Sequence, residues 1–249
     1  MPGLTTTALV FLSAHVLAEF VPSGAARWGH EASRNRGAVV KHGIVHYVVA
    51  VLLAGLVQPD WLLSWRYQFA ALGLTGAHLL LHKIERFLRV EATALTLVLD
   101  QGAHFAASIT AAVLIAPAGA AELHAWLSSA RSHRDGLLNS LAIYTVVIFG
   151  GGTFIRYVMR PLLTGLSEGE GPEQLENAGM YIGWLERFLV ITALVLQSPG
   201  TVGLILAAKS VVRFPELKSF RFAEYFLVGT LLSLSFAVAG GLLLTAALR

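Results

Sequence analysis

Residues 222–247, FAEYFLVGTLLSLSFAVAGGLLLTAA, contain a single charged side chain, Glu224. A run that long exceeds the roughly 20 apolar residues that a helix needs to cross a bilayer. Inside lipid every backbone N–H and C=O has to be satisfied within the protein, and a helix does so from its own chain. Seven further stretches repeat the pattern, at 4–21, 38–57, 61–83, 92–116, 136–160, 178–197 and 200–213. The sequence therefore predicts an all-α fold, a polytopic membrane helical bundle of about seven or eight transmembrane helices. The stretch 200–213 is short enough to be re-entrant or broken. Composition agrees: 55% of residues are hydrophobic, 13% are charged, and the mean hydropathy is +0.67, whereas a soluble domain carries about 25% charge.

The basic balance, net +3 with a pI near 9.4, comes with no basic run and no basic–aromatic stripe, so nucleic acid is not an expected partner. Absence of cysteine excludes disulfides and thiolate chemistry. The start, MPGLTTTALVFLSAHVLAEF, lacks a basic leader and an A-x-A cleavage site, and it reads as a retained first span. A Gly/Pro/acid-rich stretch, SEGEGPEQLEN (167–177), divides the chain into a first membrane part, 1–166, and a second, 178–249. The segment AELHAWLSSARSHRD between the fourth and fifth spans reads as interfacial.

Basic residues orient the spans. The first connection holds Arg27, Arg34, Arg36 and Lys41, and the end of span three holds Lys83, Arg86 and Arg89. Arg156 and Arg160 end span five, and Lys209, Arg213, Lys218 and Arg221 gather after span seven. The positive-inside rule puts these connections in the cytoplasm and the N-terminus outside.

Ionisable residues within spans are costly, and each one raises the expectation of a functional site. The first four spans carry four pairs: His15 and Glu19, His42 and His46, His78 and His82, Asp100 and His104. Each pair is spaced i, i+4, which puts both side chains on one helix face. Two such ligands can chelate one cation, as the two histidines of H-E-x-x-H do. With the orientation above, all four pairs fall in the cytoplasmic half. Asp100, nine residues beyond Glu91, is expected ~13 Å deep, near the midplane. Six imidazoles and two carboxylates suit zinc first, or iron or manganese. Eight candidate ligands exceed one tetrahedral site and allow a dinuclear centre with ions ~3.5–4 Å apart. Some of the eight can equally orient the others. Taken singly, a buried histidine is more often a hydrogen-bonded core residue. A metal-free proton relay also fits the pairs. His30, His124 and His133 lie beside Arg or Glu in loops and read as solvated.

In the second part Glu186, Arg187, Lys209, Arg213 and Glu224 are intramembrane or juxtamembrane charges. The structural reading is an ion-pair network, Glu186 with Lys209 for example. The functional reading is that Lys209 and Arg213 bind the anionic part of a substrate such as a lipid head group, with Glu186 a further substrate-binding candidate. Gly150–Gly152, Gly179 and Gly183 would let helices approach closely.

The stretches HVLAEF, KHGIVH, AHLLLHKIERFL and LDQGAHF, followed by GWLERFLV, GLILAAKSVVRF and EYFLVGTLLS, resemble a bacterial inner-membrane family, domain-of-unknown-function family 3307, over nearly the whole chain. That family more often carries Asp at the positions of Glu19 and His82; both replacements keep a metal-competent group. The resemblance implies a multi-pass protein of the bacterial inner membrane with His and carboxylate groups in its spans, and nothing about its substrate.

The leading expectation is metal-assisted hydrolysis of a lipid or other amphipathic substrate at a cytoplasm-facing intramembrane site. A bound metal lowers the pKa of its water toward ~7 and polarises the scissile group. His42, His46, His78, His104 and Asp100 are the favoured ligands, and Glu19 and Asp100 are the candidate catalytic carboxylates. The single G-x-S-x-G match, GLSEG at 165–169, runs into the Gly/Pro/acid-rich linker and follows no strand, so it is not read as a nucleophile elbow. The alternatives are a divalent-cation or proton-coupled transporter and a non-catalytic membrane partner protein. A di-iron oxidase is disfavoured because no H-x-x-H-H occurs.

Overall fold

A computed structural model describes residues 3–23, 36–91, 93–116, 133–163, 178–218 and 220–248. Among them the chain is helical throughout, with no strand. The helices are α1 (Leu4–Ser23), α2 (Arg36–Val57), α3 (Trp65–Phe87), α4 (Ala94–Ile115), α5 (His133–Thr145), α6 (Gly151–Leu163), α7 (Ala178–Val195), α8 (Gly200–Arg213) and α9 (Phe220–Leu248). A π-helical turn, Val146–Gly150, links α5 to α6. Six of the described helical segments are long and apolar enough to cross a membrane. They are α1, α2, α4, the run through α5 and α6, α7 and α9. The α3 helix has the length but carries His78, His82, Lys83, Glu85 and Arg86 in its last turns. The residues that make it interesting chemically are the ones that lower its hydropathy. The α8 helix, at 14 residues, gives ~21 Å of rise, less than a ~30 Å core. The expected linker 167–177, His30 and His124 lie outside the described residues, as does most of the expected interfacial segment.

Two compact units emerge, Met1–Ala142 and Ile143–Arg249, with the boundary inside α5. In the first unit α1 packs on α2 and α4, α2 on α3, and α3 on α4, so the four helices close into a ring. Two short turns hold the register. A 3-10 turn, Pro59–Leu63, feeds α3, whose N-cap Ser64 accepts from the Tyr67 amide. A capping box starts α4: Thr93 Oγ1 accepts from the Thr96 amide at 3.1 Å, and Thr96 Oγ1 accepts from the Thr93 amide at 2.9 Å. That box sets where along the bundle Asp100 and His104 sit. Arg89, with φ 52°, terminates the α3 run in the left-handed region.

Lipid supplies no hydrophobic drive between helices, so close packing of small residues matters more here than in water. Ala8, Ala14, Ala18, Ala50, Ala54, Ala71 and Ala112 are all buried in this unit. One half of the ring is a dry core of Leu4, Ala8, Val10, Phe11, Ala54, Trp61 and Tyr67. Tyr67 stacks between Phe11 and Trp61, at 5.1 and 4.9 Å, and donates its hydroxyl to the Ala50 carbonyl at 3.0 Å. The outward faces carry exposed leucines such as Leu52, Leu56, Leu95, Leu99 and Leu114, as a lipid-facing surface requires.

In the second unit α9 packs on α7 and α6 around Val147, Ile148, Val190, Ile191, Ala237 and Leu244. Arg187 is buried there with no carboxylate on its guanidinium. It donates from Nε and Nη2 to the Ile148 carbonyl, at 3.0 and 2.7 Å, and from Nη1 to Ser233 Oγ at 3.0 Å. Ile148 lies within the π turn, where the shifted register takes Gly151 N–H to Val146 O. A bulge of that kind needs an outside donor for its carbonyl. Two of the glycines expected to allow close helix approach instead make room for this side chain. A Cβ on Gly152 would lie 2.8 Å from Arg187 Nη2, and one on Gly183 would lie 3.3 Å from Nη1. Replacing Arg187 by Ala should cost about 1–3 kcal/mol for each buried acceptor left unpaired. The melting temperature in detergent is expected to fall accordingly, with Ser233→Ala having the smaller effect; a R187A protein as stable as wild type would contradict this reading.

Candidate metal centre

The four i, i+4 pairs converge within the first unit. Glu19 of α1 meets His42 and His46 of α2; His42 and His46 meet His78 of α3; His78 and His82 face His104 of α4. Consecutive helices therefore run in opposite directions, and each pair contributes one member to each of two layers. His15, His46, His78 and His104 form the inner layer, with exposures between 2% and 7%. Glu19, His42, His82 and Asp100 form the outer layer, with side chains 12–24% exposed. The outer layer lies toward the end of the bundle that bears Lys41, Lys83 and Arg86. Asp100 belongs to it and His104 lies deeper, so the expected midplane carboxylate stands one turn nearer the open end.

The outer layer and His78 form a compact donor set. Glu19 Oε2 lies 3.3 Å from His42 Nε2, 3.4 Å from His46 Nε2 and 3.7 Å from His78 Nε2. His78 Nε2 is 2.8 Å from His42 Nε2 and 3.1 Å from His82 Nε2. Four ligands at ~2.0–2.1 Å from a tetrahedral ion stand about 3.3 Å from one another, and these separations scatter around that value. The chemistry and the spacing of the donors both fit a cation. Among the described residues three groups can hold a metal ion, the donor atoms in each lying within 4.8 Å of one another. They are Glu19, His42, His78 and His82; His15, His46 and His78; and His82, Glu85 and Asp100.

Energetics point the same way. Among the described residues five buried side-chain atoms lack a hydrogen-bond partner: Glu19 Oε2, His46 Nε2, His78 Nδ1, Asp100 Oδ1 and His104 Nε2. Glu19 Oε2 and Asp100 Oδ1 still lie within 4 Å of imidazole nitrogens. Each such atom costs about 1–3 kcal/mol. Five together approach the whole net stability of an ordinary domain, about 5–15 kcal/mol. A bound cation offsets that cost.

Asp100 organises the inner layer. Its backbone carbonyl and its Oδ1 lie 2.8 and 3.1 Å from His104 Nδ1, and its Oδ2 accepts from Gln101 Nε2 at 3.0 Å. With the Gln101 amide so oriented, its Oε1 accepts from His15 Nε2 at 3.1 Å. Each imidazole is thus held through one nitrogen, and Nε2 of His104 is buried without a protein partner, the usual outer-shell arrangement around metal-binding histidines. Beyond the inner layer lies a cavity of about 20 Å³ lined by His15, His46, His78 and His104 on one side and by Phe11, Ala14, Leu74, Ala107 and Ser108 on the other. That is room for about one water molecule.

Two site residues escape the i, i+4 search. Glu85 lies three residues after His82, and its Oε2 is 3.4 Å from His82 Nδ1. Gln101 is adjacent in sequence to Asp100. The i, i+3 spacing would have found Glu85; nothing in the sequence distinguishes Gln101 from a polar residue on a helix side. The expected anion-binding residues belong to the second unit. There Lys209 Nζ donates to Glu186 Oε2 at 2.6 Å and lies 5.5 Å from the centroid of the Phe226 ring, which is the ion pair of the structural reading. Arg213 closes α8. No family model, no curated protein and no solved structure matches this chain.

Asp100→Ala removes the carboxylate beside His104 and the acceptor that orients Gln101 toward His15, while the bond from His104 Nδ1 to the backbone carbonyl of residue 100 stays. Zn²⁺ affinity, measured by competition with a chelator, should fall about 10–100-fold, and Gln101→Leu should give a smaller loss confined to the His15 side. An unchanged affinity in D100A would remove Asp100 from the metal chemistry.

Proposed function

We propose that the chain is a membrane metalloprotein of the bacterial inner membrane that hydrolyses a lipid or other amphipathic substrate. The observation that carries the metal is the convergence of Glu19 Oε2 with the Nε2 atoms of His42, His78 and His82 at metal-ligand spacing. The observation that favours a hydrolase over a transporter is the asymmetry of the bundle. A transporter needs polar access from both faces. Here the half beyond the His layers is filled by Phe11, Trp61, Tyr67 and alanines, while the Glu19 and His82 half is partly exposed.

In this reading the exposed half faces the cytoplasm, as the basic residues at that end imply. His42, His78 and His82 hold the ion, and zinc is the leading candidate for this donor set. The metal supplies Lewis acidity and a nucleophile formed from water near neutral pH. Glu19 either completes the donor set or takes the proton from that water; its single carboxylate among three imidazoles suits both roles. Asp100 and Gln101 orient His104 and His15. The dry aromatic core beneath the site excludes water from the far side. An anionic substrate group would be drawn to the basic end of the bundle, which bears Lys41, Lys83 and Arg86.

Elemental analysis of detergent-purified protein is the first test. About one or more equivalents of a transition metal should survive desalting in wild type and be lost in His42→Ala/His78→Ala; no bound metal in wild type after loading would end the proposal. Purified protein in vesicles of a bacterial lipid extract should then release a new water-soluble or lipid product, detected by mass spectrometry. Release should stop on chelation and drop by at least 10²-fold in Glu19→Gln, the scale usual for a lost general base. Metal uptake into sealed vesicles without any product would favour the transporter instead.

A further inference from the structure

We propose that the bundle holds two metal ions in tandem, one in the outer layer and one in the inner layer, with the ring of His78 bridging them. His78 belongs to both metal-competent groups, Glu19–His42–His78–His82 and His15–His46–His78. Its two ring nitrogens differ in their surroundings. Nε2 meets His42 Nε2, His82 Nε2 and Glu19 Oε2, all members of the outer group. Nδ1 is buried and has no protein partner, and it is the atom left for the inner group.

The inner group has supports of its own through Gln101 and Asp100, although His46 Nε2 also lies 3.4 Å from Glu19 Oε2 of the outer group. His15 is fixed through Gln101 with its Nε2 donating, so Nδ1 carries the lone pair. His46 Nε2 is buried without a hydrogen bond. His104 is fixed through Asp100 with its Nε2 unpartnered, and its ring stacks 4.8 Å from that of His15 and lies 4.4 Å from that of His78. The inner site is thus entirely imidazole. Neutral nitrogen donors suit zinc, copper or nickel and discriminate against magnesium and calcium, which prefer oxygen.

Charge gives the bridge its physical reason. Two divalent cations in a half-buried cluster carry four positive charges against the three carboxylates Glu19, Asp100 and Glu85, and uncompensated buried charge is costly. A ring bound through both nitrogens carries no N–H. Its proton leaves to solvent as the second ion binds, and the ring becomes a further anion placed between the two cations. The ions would stand ~6 Å apart, two metal–nitrogen bonds of ~2 Å plus the width of the ring, farther than the ~3.5–4 Å of a centre whose ions share one substrate oxygen. The outer ion is the one within reach of substrate, and the inner ion polarises the bridge from behind.

The inference rests on the proposed metal centre, and the test separates the two. The full-length protein in nanodiscs is loaded with Co²⁺, desalted and analysed for metal per chain, and its low-temperature paramagnetic resonance is recorded at partial and full loading. Two Co²⁺ per chain are expected, with the fully loaded spectrum showing magnetic coupling that the partly loaded spectrum lacks. His15→Ala/His46→Ala should hold one uncoupled Co²⁺, and His42→Ala/His82→Ala should also hold one. His78→Ala should abolish the coupling even where it still binds metal. One Co²⁺ per chain in wild type overturns the tandem site and leaves the single-metal reading standing; none overturns both. Two uncoupled ions in wild type overturn the bridge, a result that depends on no variant folding correctly.

Discussion

Every polar atom placed inside a bilayer must find a partner, and the first unit is organised around meeting that requirement with Glu19. A lone carboxylate in lipid would protonate or distort its helix. Glu19 instead stands among imidazoles from α2 and α3, and their positions follow from helix geometry. Members of an i, i+4 pair lie about one turn, ~6 Å, apart along the axis. When neighbouring helices alternate in direction, the first member of one pair lies level with the second member of the next. Four pairs on four alternating helices thus generate two layers, and the ring closure of α1 through α4 brings the layers to one axis.

The two units answer the same requirement differently, and the contrast bears on function. Arg187 brings a buried charge into the second unit, yet three of its donors end on Ile148 O and Ser233 Oγ, in space that glycines leave open. Glu186 and Lys209 satisfy each other. These are closed arrangements in which protein atoms face protein atoms. The His cluster differs: some donors meet, but five buried atoms among the described residues have no hydrogen-bond partner. A network selected only for structure would gain stability by closing those gaps, since half-satisfied polar groups are worse than an apolar core.

Much of the site was legible in the sequence because helical spacing and span direction are both one-dimensional properties. His15 through His104 could be placed on shared faces and in one half of the membrane by counting residues, and the structure brings those faces together. What counting missed depended on side-chain direction. Asp100 was expected to be the deepest group because the span was counted from Glu91, whereas the Thr93–Thr96 capping box starts α4 at Ala94 and leaves Asp100 in the second turn. Gln101 became part of the site only through the orientation of its amide between Asp100 and His15. The π turn at Val146–Gly150 left no sequence signal beyond a run of glycines, and those glycines read equally well as packing positions until Arg187 was seen to fill the space beside them.

The packing beyond the cluster adds a constraint on mechanism that the cluster alone does not contain. The aromatic stack of Phe11, Tyr67 and Trp61 is anchored by a hydrogen bond to the α2 backbone, and it occupies the part of the bundle that a conducted ion would have to cross. Opening a path there would mean parting Phe11 of α1 from Tyr67 of α3 and Tyr67 from the Ala50 carbonyl of α2. The cavity on that side holds about one water and has mostly apolar walls. An arrangement so closed on one side and partly open on the other suits chemistry on a substrate that enters and leaves by the same face. Under the proposed function depth gains a purpose: the inner histidines are sheltered enough for electrostatic interactions to be strong, while Glu19 and His82, partly exposed, would meet a substrate and exchange protons with water.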